Sequence, residues 1–181
     1  MNLFFRFFFL LMRRFFERSQ QSLLDVCSTS FRVGFLDLDI NAHMNNGRYL
    51  SLMDLGRVDL MLKTGFFWPL ILNGFFPVVL SESIVFRRSL GVWQKFEIQT
   101  EVIGWDEKDF FIVQRFICRG QTYATGHIRG RFLKRGQRFS VPTLDLFRFL
   151  KLPWSELRSS DLGQLQKSID EKLMNHFSRT C

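Results

Sequence analysis

The chain has 181 residues, of which 46% are apolar and 23 are Phe; that is too much to bury for a disordered segment and enough for one well-cored domain with short appendages. Its 25 Lys and Arg against 17 Asp and Glu leave a net charge of +8, which favours anionic partners such as phosphate-bearing ligands, anionic lipid or nucleic acid. Three widely spaced cysteines, Cys27, Cys118 and Cys181, form no readable disulfide framework or cysteine zinc site and fit a reducing, cytoplasmic compartment.

The first element, "MNLFFRFFFLLMRRFFERS", stands apart in composition and predicts a helix over residues 1–20. It is too short and too charged to span a bilayer, and it shows no clear cationic start or small-residue cleavage site. At about 100° per residue, Arg6, Arg13 and Glu17 fall on one narrow stripe with Phe and Leu around the rest. That pattern suits a helix lying at the inner face of a membrane with its arginines reaching the headgroups. The competing reading is a terminal helix packed on its own domain or on a partner. Nothing in residues 28 to 135 calls for this helix, so a chain starting near Ser19 is expected to fold.

Residues 21–150 read as one domain. "VCSTSFRVGFL" has strand composition and runs into "DLDINAHMNNGRYL", residues 37 to 50, where acid, amide and imidazole alternate at Asp39, Asn41 and His43. Asn and Asp suit turns and caps because their side chains bond nearby backbone groups, but that does not account for the alternation. A helix over 47–64 follows, capped by Asn45 or Asn46 and ended by Gly65. Tyr49, Met53, Gly56 and Leu60 share an uncharged arc on it, so a sheet should largely swallow this helix.

The remainder predicts antiparallel sheet. "FPVVLSESIVFRR" is one strand, and "FEIQTEVIGW" puts Phe96, Ile98, Thr100 and Val102 on one face. "FFIVQRFIC" and "TYATGHIRGRFLK" complete it, and Ala124, Gly126, Ile128, Gly130 and Phe132 make a face open to close helix approach. Residues 151–181 predict a polar helical extension. Arg129, Arg131, Lys134, Arg135 and Arg138 cluster without a nucleic-acid-binding motif, so no nucleic acid is expected as partner.

This order of elements is that of the hotdog fold, an α+β architecture in which an antiparallel sheet wraps one long helix. "DLDINAHMNN" resembles the "DLDxNxHxNN" signature of plant acyl-ACP thioesterases, and the longer block resembles single-domain, membrane-associated thioesterase-like proteins. The resemblance implies hydrolysis of acyl-CoA or acyl-ACP, with no cofactor and no metal. It makes Asp39 a general base or nucleophile, Asn41 an orienting amide and His43 an assisting base. Asn45, Asn46, Gly47 and Tyr49 would lie against the substrate, the first two chiefly as cap and loop lock. Independently, the first turn after Asn46 should offer unpaired N–H groups and a positive dipole end to a thioester carbonyl. Single hotdogs pair, so a homodimer with its site at the subunit interface is implied.

Two departures are visible. Where the plant enzymes carry an acid after paired arginines, this chain has Ser89, with Glu82 as the substitute considered. The His falls four residues after Asp39 without a Pro, which argues against a hotdog hydratase. The non-enzymatic alternative is a membrane-attached acyl-chain binder that keeps the fold. "FFWPLILNGFF", residues 66 to 76, could line an acyl tunnel, form core or face a membrane.

Overall fold

The computed structural model describes residues 3–16, 21–137 and 140–151. In chain order these form α1 (Leu3–Phe16), β1 (Cys27–Arg32), α2 (Asn46–Lys63), α3 (Phe67–Leu72), β2 (Phe75–Phe86), β3 (Lys95–Trp105), β4 (Asp109–Cys118), β5 (Gln121–Lys134) and α4 (Thr143–Phe149). A single 3-10 turn, Phe35–Asp37, sits between β1 and α2. The five strands make one antiparallel sheet in the order β1-β3-β4-β5-β2, so β1 and β2 are its edges. Wrapped around α2, it is the hotdog architecture expected from the sequence.

The expected arc of α2 is the buried one: Tyr49, Met53, Gly56 and Leu60 are all inside. Tyr49 and Met53 meet Phe96, Ile98, Ile112, Phe116, Ala124 and Ile128 from the sheet in one continuous core. Two glycines stand where helix and sheet come closest. A Cβ on Gly126 would lie 2.2 Å from Met53 Cε, and one on Gly56 would lie 2.7 Å from Gln114 Nε2. Gln114 is itself buried and held by Met53 O at 3.0 Å, Thr100 Oγ1 at 2.9 Å and Arg57 at 3.0 Å, so a buried amide is fully engaged where α2 comes closest. The alternation along β3 holds from Phe96 to Thr100 and then slips at a bulge between Val102 and Gly104.

Asp59 and Lys63 are buried on the same helix. They pair at 3.2 Å, Thr29 of β1 donates to Asp59 at 2.6 Å, and Lys63 donates to Ser28 O at 2.6 Å. Charges this deep are tolerable only when so satisfied. The Arg129 and Arg131 of the basic run are likewise committed, both clamping the buried Asp109, at 2.6 and 2.7 Å. Arg138 lies outside the described residues, as does the expected helix of the tail beyond residue 151.

The N-terminal helix corrects one expectation. Arg6 does not reach outward; it is 7% exposed, ion-paired with Asp37 and hydrogen-bonded to Arg32 O at 3.2 Å. Leu10 is buried beside it, and Leu3 and Phe7 pack on the main core. The outward face is largely apolar, with Phe4, Phe5, Phe8, Phe9 and Met12 exposed, and Arg13 is exposed with them. The reason is electrostatic: a buried carboxylate needs a cation, and the periodicity of α1 cannot reveal that Asp37 is waiting for one. Residues 28 to 135 therefore do make buried contacts with this helix. Among the described residues, no helix is long and apolar enough to cross a membrane.

Candidate active site at the amino end of helix α2

The Asp/Asn segment folds because its own side chains close it. Asp39 Oδ1 accepts from the amides of Asn41 at 2.8 Å and His43 at 3.3 Å. The Asp39 amide donates to His43 O at 2.8 Å, and Ala42, at φ 58°, takes the left-handed conformation that the turn requires. Met44 then donates to Leu90 O at 2.7 Å, and His43 pairs with Gly91, so the turn is stitched to the segment after β2.

Asn45 is the cap, its Oδ1 accepting from the Gly47 amide at 2.9 Å while its carbonyl accepts from Arg48 at 2.8 Å. The expected row of unpaired first-turn donors is thereby shortened. Among the described residues the Asn46 amide is the first-turn N–H without an internal acceptor. Asn46 and Gly47 are exposed, as are Asn41 and His43, while Asp39 is half-buried. One short turn thus holds Asp39, Asn41 and His43, yet no hydrogen bond joins their side chains to one another among the described residues. Asp39 Oδ2 accepts none there either and is the open carboxylate oxygen of the turn.

Tyr49 is placed differently from its expected role beside the substrate. It is buried against Phe116 and Phe86, ring centroids 4.8 and 5.0 Å away, and its hydroxyl accepts from the Leu90 amide at 3.4 Å. Burial pushes its phenol above the ordinary range, so it stays neutral. Its service is to lock the 89–91 segment onto α2.

Ser89 is exposed and directly precedes Leu90, so its position does adjoin the turn. Glu82 does not. It pairs with Arg57 at 2.9 Å, about 16 Å along α2 from Asn46 at 1.5 Å per residue, and cannot stand in for the missing acid within one chain.

The residue that sequence reasoning passed over is Asp37, the first acid of the motif. Its carboxylate takes the Gly34 amide at 2.8 Å and Arg6, with Arg48 3.8 Å away, and its carbonyl takes the Asn45 amide at 2.8 Å. The available signal was the arginine inside an apolar helix, which calls for a buried acid elsewhere.

A cavity of about 200 Å³ opens at the other end of α2. Leu60, Met61, Phe66, Leu70, Val102 and Ile112 are among its apolar walls, with Arg57 and Asp54 at its polar edge. The 66–76 segment is divided between roles: Phe66 and Leu70 line this space, whereas Trp68, Ile71 and Leu72 are exposed. No group of side chains suited to a metal ion occurs among the described residues.

Residues 33–173 match the family model of the thioesterase-like superfamily. The chain belongs to that superfamily. It is 36% identical over 95 residues to Protein THEM6 of Xenopus laevis, an alignment covering 52% of this chain and 46% of that protein. A probable thioesterase of Saccharomyces cerevisiae is 25% identical over 130 residues, 70% of this chain and 56% of that one. The chain thus spans about half the length of the curated relatives it matches. In fold it is similar to the YbaW probable thioesterase of Escherichia coli, at TM-score 0.64 and 21% identity over 69% of this chain and 96% of that one. A DHNA-CoA thioesterase from Staphylococcus aureus gives TM-score 0.64 at 17% identity, covering 83% of this chain and 94% of that structure.

Proposed function

We propose that the protein hydrolyses acyl-thioesters carried on coenzyme A or acyl carrier protein, with Asp39 as general base or nucleophile. The observation that carries this reading is the Asp39 carboxylate, pinned by one oxygen to its own turn and open at the other, beside the positive end of α2. Asp39 either takes a proton from water as the water oxygen adds to the thioester carbonyl, or adds to that carbon itself to give a mixed anhydride that water then hydrolyses, freeing the acid and restoring the carboxylate. The Asn46 amide and the helix dipole hold the negative oxygen that forms, the C–S bond breaks, and the thiol leaves with a proton. Asn41 and His43, exposed on the same turn, orient the carrier end of the substrate or assist the proton transfer.

Two copies pairing along β2 would complete the site. That edge strand of twelve residues exposes Phe76, Val79, Leu80, Val85 and Phe86, a row that invites a partner strand. In an antiparallel pair the Phe86 end, next to the catalytic turn, lies against the Phe75 end of the second copy, whose Pro77, Val78 and Val79 line its cavity. The acyl chain of a substrate held by one turn then enters the apolar cavity of the other copy. The outward Phe face of α1 supports a reading in which this dimer lies on a membrane, where long acyl-thioesters concentrate at about 0.8 kcal/mol per buried methylene. The net +8 charge suits an anionic surface.

Thiol release from CoA and carrier-protein thioesters of graded chain length tests the activity. No release above the uncatalysed rate from a folded protein would favour the second reading, a non-catalytic acyl-chain binder, which the missing acid at Ser89 supports. Vesicle co-sedimentation of the Phe5→Ser, Phe8→Ser, Phe9→Ser triple variant tests the membrane face without removing Arg6. Undiminished vesicle binding, or a shift to monomer, would reassign that face.

A further inference from the structure

Arg6 is explained neither by membrane attachment nor by thioester chemistry. An apolar side chain would seat α1 on the domain at least as well, and withdrawing a guanidinium from water is costly unless it gains strong partners. Its partners are informative. The guanidinium donates to Arg32 O at the end of β1, at 3.2 Å, and to the carboxylate of Asp37, whose side chain is 2% exposed. Asp37 in turn accepts the Gly34 amide on the same carboxylate oxygen and the Asn45 amide on its carbonyl. Asn45 caps α2, and Asp39 lies two residues beyond Asp37. One side chain from the N-terminal helix therefore ties together the end of β1, the 3-10 turn and the cap beside the catalytic turn.

We infer that Arg6 is a positioning residue: by pinning Asp37 it fixes the turn that carries Asp39 against the amino end of α2, so that the seating of α1 sets the geometry of the site. The catalytic half of this inference rests on the hydrolase reading; the mechanical half does not. Both contacts are made by one guanidinium nitrogen, Nη2, at the end of the long arginine stem, and the ammonium of the shorter lysine satisfies them only in part. The same helix carries the Phe face proposed to meet lipid, so whatever moves α1 moves the turn.

Amide hydrogen exchange over residues 38–47, measured in the full chain with R6Q, R6K and L10A, tests the mechanical half. Leu10 is buried under α1 but has no place in the ion pair, so L10A reports what loosening the helix does by itself. In R6Q the amides of Ala42, Met44 and Asn45 should exchange about tenfold faster or more, with R6K between R6Q and the parent and L10A near the parent. Kinetics supply the second readout: kcat should fall about tenfold to a hundredfold in R6Q with KM within about twofold, and R6K should recover part of it. Unchanged exchange over 38–47 in R6Q, or an equal rise in L10A, overturns the inference. If R6Q does not fold, R6K against L10A makes the same comparison, and exchange in R6K no faster than in L10A overturns it. If the parent hydrolyses no thioester, the hydrolase reading fails alone while the exchange arm still decides whether Arg6 positions the turn.

Discussion

At its amino end α2 meets an exposed polar turn bearing Asp39, Asn41 and His43, whereas at its carboxyl end, about 27 Å on at 1.5 Å per residue, it meets an apolar cavity roofed by α3 and α4. The first region is closed by side-chain to backbone hydrogen bonds and leaves a carboxylate oxygen open; the second is closed by Leu, Met and Phe and leaves empty space. Neither region alone serves a substrate with a polar reacting group and a long apolar chain. Within one chain the helix holds them apart, and the proposed pairing along the β2 edge would bring the turn of one copy to the cavity of another.

The largest effect should come from disabling the polar end alone. Asp39→Asn keeps the Oδ1 that closes the turn and removes only charge and basicity. Turnover should fall by about two to four orders of magnitude with little change in melting temperature. Near-full activity, or unfolding, would make Asp39 a turn residue and dissolve the contrast.

Filling the apolar end should discriminate by chain length. Val102→Phe places a ring in the cavity, and kcat/KM for long acyl groups should drop about tenfold or more while short ones are spared, as apolar pockets discriminate by size. An equal loss on all chain lengths would place the acyl group elsewhere.

Gly56, between the two ends, tests them together. Alanine gains up to about 1 kcal/mol of helix propensity there. Its Cβ, however, would crowd Gln114 at 2.7 Å, Thr100 at 3.0 Å and Ile98 at 3.2 Å, and overpacking of this kind costs about 1–3 kcal/mol. Net destabilisation in thermal unfolding is expected, and a stabilised variant would mean that α2 sits loosely enough on the sheet to admit a methyl group.

The smallest effect concerns Cys27, buried near Asp59 and Lys63 under the carboxyl half of α2. Burial pushes its thiol above the ordinary value, the nearby Lys63 opposing this only in part. Because the folded state holds the proton more tightly than the unfolded one, this contribution to stability is intact below the ordinary thiol value and is lost as pH rises from there through the raised value of the folded state. Iodoacetamide near neutral pH should leave Cys27 unmodified in mass spectra and activity unchanged; rapid labelling of the native protein would show this end to be open.

Local chemistry determined much of this protein. The arc of Tyr49, Met53, Gly56 and Leu60, the alternation from Phe96 to Thr100 and the small residues of β5 each follow from side-chain period, so the order and facing of the main elements were legible. The local closure by Asp39 and Asn45 was equally legible, because their side chains bond groups only a few residues away. What only the tertiary structure decided are encounters between distant segments. Arg6 turned inward because Asp37 was buried 31 residues later. Tyr49 entered the core because Phe86, Leu90 and Phe116 enclosed it, and Glu82 was drawn to Arg57, far from the turn. Periodicity says which side of an element is buried; it does not say what that side will meet, and a buried charge is placed by its partner rather than by its neighbours in the chain.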